Sequence, residues 1–242
     1  MTPTVLGSIV SLWRYPVKSM LGEELNAAEV TKRGLLGDRA YARTSEATSA
    51  GSWRSQPSRR RCPRLNQLFS KVLKREVKLS ALPDVRTATA EEYWPDIEGL
   101  DHRDTVTDFG LPEGTFFDCA VVHLLTTATL DRLRALYPQG RFEVRRFRPN
   151  IVVETADGKT DFVENAWIGQ VLAIGDSVRL SVTGPCPRCV MTTLAQGDLP
   201  KDTGILRAAA QHNRANVGIY ASVLEGGTVR RGDSVRLESA HA

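Results

Sequence analysis

The chain has 242 residues, 41% hydrophobic and 25% charged, with a formal net charge of +4. That length can bury a full core as one large domain or two small ones, and the composition is ordinary for a globular protein. No apolar run reaches the length of a membrane span and no charged n-region leads a long apolar stretch. The four cysteines therefore point to a reducing compartment, the cytoplasm, with no membrane partner.

In chain order, Gly7 to Arg14 reads as a strand. Pro16 ends it and holds Lys18 and Ser19 on a loop. Gly34, Gly37 and Asp38 mark a turn before a strand from Arg39 to Arg43, and residues 44 to 61 read as a long Arg- and Ser-rich loop. Pro63 to Lys74 predicts a short helical turn, then a strand through Val77 and Leu79. Pro83 to Gly114 is acidic and broken by Pro and Gly, the pattern of a connection between two lobes. Thr115 to Leu125 predicts a buried strand. Thr126 or Thr127 caps a helix that Pro138 and Gly140 stop. Strands follow at Ile151 to Glu154 and at Ala166 to Ile174, with Gly169 as a turn or bulge.

Gly175-Asp176-Ser177-Val178-Arg179-Leu180 then recurs letter for letter as Gly232 to Leu237. Two strands entered alike suggest a β-barrel or closed meander, or a common turn-strand unit met twice by chance. Leu199 to Asn213 supplies one short helix, and Asn216 to Leu224 and Val229 to Glu238 the last strands. Many short strands with two or three helices make a mainly β chain (α+β) rather than a doubly wound sheet. No dinucleotide fingerprint, P-loop or Gly-x-Ser-x-Gly elbow is present.

The stretch Gly184 to Thr193 carries half the cysteines. Asp176 to Val182 alternates as a strand, Gly184-Pro185 breaks it, and Val190 to Thr193 resumes extended structure. Cys186 and Cys189 then sit on a stiff loop, with Arg188 placed to favour a thiolate. Four readings stay open. A zinc site wants further ligands, but Cys62, Cys119 and the histidines His102, His123, His212 and His241 show no paired spacing. A thioredoxin-like pair wants a βαβ unit, and none is visible. The others are two inert thiols, or one thiolate serving a soft metal. Two arginine groups, Arg59-Arg60-Arg61 with Arg64 and Arg141, Arg145, Arg146 with Arg148, suit nucleic acid, a phosphorylated small ligand or plain solvent. No nucleic-acid motif supports the first.

Four stretches, Tyr15-Pro16-Val17-Lys18-Ser19, Gly37-Asp38-Arg39, Phe147-Arg148-Pro149-Asn150 and Cys186-Pro187-Arg188-Cys189 with Thr192-Thr193, together resemble the MOSC superfamily with its N-terminal β-barrel companion. Within it they look like the mitochondrial amidoxime-reducing component and its bacterial relatives. The resemblance implies an N-terminal lobe over residues 1–95 and a MOSC domain over 96–242, with molybdopterin bound between them. It implies Cys189 as catalytic molybdenum ligand, and Lys18 and Ser19 beside the cofactor phosphate. It also implies Arg148 and Asn150 by the pterin, with Arg39, Arg60, Thr126, Thr127 and Arg188 completing the set. Lys18, Arg148, Asn150 and Cys189 should then face one cleft. The implied chemistry is reduction of N-hydroxylated or N-oxide substrates with electrons from a separate partner protein. Links to sulfur transfer, a non-catalytic cofactor-binding role and a family association with pyridoxal phosphate are the other implications. Residues 79–117 form a shorter middle than in the mitochondrial proteins, and mitochondrial targeting is absent.

Overall fold

The computed structural model describes residues 4–44, 63–74, 76–81, 89–100, 102–110, 116–117 and 119–238. The first strand, β1 (Thr4–Arg14), turns Ile9 and Leu12 inward. It pairs antiparallel with β10 (Ile151–Thr155), bringing Leu12 opposite Ile151 and Ile9 opposite Val153. On its other edge it pairs with β15 (Ser234–Glu238). From β10 the ladder runs through β9 (Val122–Thr126), β13 (Asn216–Glu225), β12 (Val178–Pro187) and β11 (Val171–Ile174) to β15 and back to β1. The result is a closed seven-stranded barrel, which leaves no open edge in the ring. Its interior holds Ile9, Leu12, Leu124, Ile151, Val153, Leu172, Leu180, Ile219 and Val235. A short β2 (Glu23–Leu25) extends β1.

The repeated hexapeptide has a structural meaning. β11 lies between its two copies, and Leu172 opposes Leu180 on one side and Leu237 on the other. Ala173 faces Arg179 and Arg236, and Ile174 faces Val178 and Val235. One strand thus reads the same Val-Arg-Leu sequence on both edges, with valine and leucine turned into the barrel.

Helices cover one side. Thr126 caps α2 (Thr127–Leu136) by accepting the Thr129 amide at 3.1 Å, as expected. α3 (Val144–Phe147) and α4 (Gly204–Asn213) complete this layer; their inner residues Phe147, Ile205 and Ala209 pack with Leu125, Leu130, Leu133 and Phe142. Outside the barrel lie the sheet of β3 (Ala27–Thr31), β4 (Gly34–Leu35) and β14 (Gly227–Arg230), the ribbon of β5 (Tyr41–Thr44) with β6 (Lys78–Ala81), and the ribbon of β7 (Thr89–Trp94) with β8 (Thr105–Gly110). No helix among the described residues is long and apolar enough to cross a membrane.

Several expectations need correction. α1 (Pro63–Leu73) is an eleven-residue helix, not a brief turn. The acidic connector contains the β7–β8 hairpin, across which Trp94 Nε1 donates to Thr107 Oγ1 at 2.8 Å. The strand sought at Thr115 starts at Val122, and Ala166 falls in a 3-10 turn (Val163–Trp167) before β11. Val229 to Glu238 is two strands, β14 and β15, and the described helices number four. A βαβ unit does exist: β9 and β10 are parallel and α2 joins them. It lies outside the Cys186–Cys189 stretch.

Most instructive is β12, which Gly184 and Pro185 do not break. The strand runs through Pro187 because its register against β13 shifts at Val182/Gly184 and again at Pro185/Pro187. A proline, lacking an amide hydrogen, is tolerated where the ladder already skips. After Cys189 the chain forms a 3-10 turn (Val190–Thr193) instead of a strand. The Thr192 hydroxyl donates to the Cys189 carbonyl at 2.9 Å and the Thr193 hydroxyl to Val190 at 2.7 Å. These local bonds outcompete the β preference of threonine.

Candidate functional site

β1 ends where Pro16 follows Tyr15. Gly37, at φ +82°, makes the turn that brings Asp38 and Arg39 against this loop. Asp38 Oδ1 accepts the Tyr15 amide at 2.6 Å, and the Arg39 amide donates to the Tyr15 carbonyl at 2.8 Å. β5 then clasps the loop: Tyr41 N donates to Pro16 at 3.0 Å and Lys18 N to Tyr41 at 2.8 Å. The Tyr15 ring is buried between two cations, with the Arg39 guanidinium carbon 4.6 Å and that of Arg148 4.3 Å from its centroid. Its hydroxyl is buried with no hydrogen-bond partner. Burial pushes the phenol pKa up, although both arginines oppose it.

Arg148 reaches this place because α3 ends in a left-handed residue, Arg148 itself at φ 54°. Its guanidinium donates to the Met20 carbonyl, while its own carbonyl accepts Arg39 Nη2 at 3.3 Å. Asn150 is 1% exposed. Its Oδ1 accepts the His123 amide at 3.1 Å, and Nδ2 donates to Asp38 Oδ2 at 2.8 Å and to the Trp13 carbonyl at 3.3 Å. With both Nδ2 hydrogens used, Asn150 does not face a cleft, contrary to expectation; it ties β1, β9 and the Asp38 turn together.

The cysteines are not equivalent. Cys186 is buried in β12; Cys189 is half-buried at the start of the 3-10 turn. Arg188, which the sequence places beside Cys189, acts on both thiols: its charge interacts with Cys186 and Cys189, its Nη1 lies 2.6 Å from Cys186 Sγ and its Nη2 donates to the Phe147 carbonyl at 3.0 Å. Burial pushes the Cys186 thiol pKa up, opposed by Arg188 and by a hydrogen bond with Tyr220. Arg188 Nε is buried without a partner. Behind this pair sits His123, whose pKa burial pushes down to about 3, helped by the Arg188 charge. The ring is therefore neutral at ordinary pH, and its Nε2 lies 3.1 Å from the Val217 carbonyl. Gly218 makes room for it: a Cβ there would meet His123 Nε2 at 2.3 Å.

The four sequence stretches thus meet around Tyr15. Lys18 is half-buried and Ser19 exposed on the same loop. Arg60 lies outside the described residues. Thr126 is fully buried, its hydroxyl donating to Glu164 Oε2 at 2.6 Å, so it serves the α2 cap and not an open site; Thr127 is half-buried beside it. The second arginine group splits. Arg141 and Arg145 pair with Glu143 and Asp198 at the surface. Arg146 is 1% exposed and donates to the carbonyls of Arg141, Thr192, Leu194 and Pro200, which anchors the far end of the cysteine loop. Sequence reasoning missed Tyr15, Asp38, His123 and Tyr220 as site residues. Tyr15 and Asp38 lay inside the stretches that carried the resemblance; no sequence signal marked the other two.

Three guanidiniums gather here: Arg39, paired with Asp38, and Arg148 stack on Tyr15, and Arg188 lies against Cys186. Two buried polar atoms, Tyr15 Oη and Arg188 Nε, also lack partners. That donor set fits a ligand with anionic oxygens, and a half-buried thiol beside it can add one sulfur ligand. Among the described residues no three His, Cys, Asp or Glu side chains gather as a metal cage. Two cavities, about 340 Å³ by Trp167 and about 260 Å³ by Tyr137, lie away from this chemistry. We rank the charged cluster above them, because neither brings a thiol and cations together.

Comparison with known proteins shows the family. The MOSC domain model matches residues 112–236, and the MOSC N-terminal beta barrel domain model matches residues 6–94. The chain belongs to the MOSC domain family. Within it, the chain is similar to mitochondrial amidoxime reducing component 2 of Bos taurus, 27% identical over 83% of this chain and 69% of that protein. The same protein of Rattus norvegicus is 37% identical, over 39% of this chain and 24% of its own length. The crystal structure of the YUAD protein from Bacillus subtilis shares the fold, at TM-score 0.55 and 13% identity, over 97% of both chains.

Proposed function

We propose that this chain is a molybdenum-cofactor-binding oxidoreductase that reduces N-hydroxylated or N-oxide compounds. The observation that carries the reading is the cluster of Arg39, Arg148 and Arg188 around Tyr15, next to the half-buried Cys189. Arg39 and Arg148 supply positive charge for the anionic groups of molybdopterin, and the orphaned Tyr15 hydroxyl offers a further donor. Lys18 and Ser19, on the adjoining loop, suit its phosphate. Cys189 provides the thiolate that a soft metal prefers. Asn150, Asp38 and Arg146 position these groups without touching the ligand. When bound, the cofactor supplies two-electron redox chemistry at the metal. The overall reaction breaks the substrate N–O bond and releases its oxygen as water, consuming two protons and two electrons; for an N-hydroxyl substrate one of the protons ends on nitrogen as an N–H bond, and for an N-oxide both end in the water. A separate electron-transfer protein supplies those electrons. We assign residues 1–95 to the N-terminal lobe and 96–242 to the MOSC domain, with β1 reaching across to close the barrel.

The test is expression in a host that makes molybdopterin, followed by molybdenum and pterin analysis and an N-hydroxyl reductase assay with a chemical reductant. Stoichiometric molybdenum and turnover are expected. Metal-free protein with labile sulfur on a cysteine would replace this reading with a sulfur carrier.

A further inference from the structure

Helix α1 differs from the other long helices. α2 buries Leu130 and Leu133, and α4 buries Ile205 and Leu206, but α1 buries no residue. Its inner side is nonetheless fixed: Asn66 Oδ1 accepts the Leu79 amide at 2.9 Å and Ser70 Oγ the Val77 amide at 3.0 Å. Leu65, Leu68 and Val72 are 40%, 54% and 68% exposed. Their i, i+3, i+7 spacing puts them in one stripe. Arg64 and Lys71 fall beside that stripe at helical periodicity. Arg64, Lys71 and Lys74 are exposed, and no acidic residue occurs from Pro63 to Lys74. An apolar stripe bordered by cations is complementary to an apolar patch bordered by carboxylates.

The position of α1 adds the second argument. It packs on β6, β6 pairs with β5, and Tyr41 of β5 holds the loop that carries Lys18. Among the described residues this two-stranded ribbon, roughly 5 Å per strand step, links the helix to the loop of the candidate site.

We propose that α1 docks an acidic electron-transfer protein. The proposal rests on the oxidoreductase reading, which requires an external donor. A carrier of single electrons would visit twice for each N–O bond reduced. A three-residue stripe suits such a visit, because electron-transfer complexes bury small areas and are steered by charge. A lipid surface would also meet cations and apolar groups, but binding there scales with buried apolar area, and a stripe of three side chains offers little.

The experiment uses the full chain and an acidic two-iron, two-sulfur ferredoxin as probe. Binding is measured calorimetrically on metal-free protein, and electron transfer by stopped flow on molybdenum-loaded protein. Binding should weaken steeply as salt rises. Both the triple variant R64E/K71E/K74E and the apolar variant L68S/V72S should weaken it by roughly tenfold or more. These residues are exposed, so both variants should keep the wild-type melting temperature and the turnover driven by a small chemical reductant. Equal binding by variants and wild type overturns the proposal. So does absence of ferredoxin binding, whether or not the chain binds phosphatidylglycerol vesicles; vesicle binding lost in the triple variant would reassign the face to a lipid surface. Docking without molybdenum or turnover would sink the oxidoreductase reading and leave the docking face standing. Turnover with a chemical reductant but no docking does the reverse.

Discussion

Asn150→Asp replaces one amino group by an oxygen and leaves side-chain volume unchanged, so it isolates the electrostatics of the network under the site. Nδ2 lies 2.8 Å from Asp38 Oδ2 and 3.3 Å from the Trp13 carbonyl oxygen. In the variant both contacts set oxygen against oxygen. The lost charge-assisted bond alone is worth about 1.5–3 kcal/mol. Two ionised carboxylates at that separation repel by roughly 6 kcal/mol at an effective dielectric of about 20. One carboxyl escapes by keeping a proton, since a like charge raises its neighbour's pKa. Arg39, paired with Asp38, offsets part of the rest. A net loss of about 3 kcal/mol is expected, toward the lower end for a disrupted buried charged pair. For a chain of this size that is a drop of roughly 6–12 °C in Tm. The folded-state pKa of the added carboxyl lies above its unfolded value. The penalty is therefore full at alkaline pH and shrinks as pH falls through the folded pKa. Calorimetric Tm values of both proteins, taken from about pH 8 down to about pH 5, give the measurement. Equal Tm at the alkaline end, or a gap that does not narrow on acidification, would refute the reasoning.

Three other outcomes are expected. Cys189→Ser should abolish N-hydroxyl reductase turnover and molybdenum–sulfur signals in X-ray absorption, whereas Cys186→Ser should keep most of both; equal loss in the two purified variants would end the single-ligand assignment. Lys18→Ala and Arg148→Ala should each weaken cofactor retention by about 1.5–3 kcal/mol, roughly one to two orders of magnitude, and pterin content equal to wild type in both would contradict it. Glu164 is buried and its pKa is pushed up by that burial, against hydrogen bonds from Thr126 and Thr129. The stability it contributes is therefore present at low pH and lost as pH rises through its folded pKa. Glu164→Gln should flatten that alkaline decline in urea unfolding, and parallel pH profiles would count against the assignment.

The sequence was most legible where local chemistry decides. Thr126 caps α2 as predicted because the cap uses only neighbouring atoms. The repeated hexapeptide pointed to a barrel, and its copies flank β11. Legibility failed where distant chain overrode local preference. Pro185 and Pro187 sit in a strand because β13 accommodates them with register shifts. Asn150 looked like a ligand contact by its place in Phe147-Arg148-Pro149-Asn150, but Asp38 and Trp13 claim its amide. Arg146 and Arg148, two residues apart in one basic run, part company because α3 points one at the cysteine loop's carbonyls and its left-handed end turns the other to Tyr15.

The pairing of β1 has a consequence for how the molecule forms. β1 is the first strand of the barrel, and the two neighbours that close the ring, β10 and β15, begin at Ile151 and Ser234. During synthesis the N-terminal strand must wait, with one hydrophobic face unprotected, for partners made much later. Contacts of such sequence separation slow folding, because the entropy of a long loop is lost before the pairing rewards it. Ile9 and Leu12 are therefore the residues for which a chaperone would compete with β10. Moving the chain ends by circular permutation, so that β1 follows β15 directly, should speed refolding without altering the finished barrel.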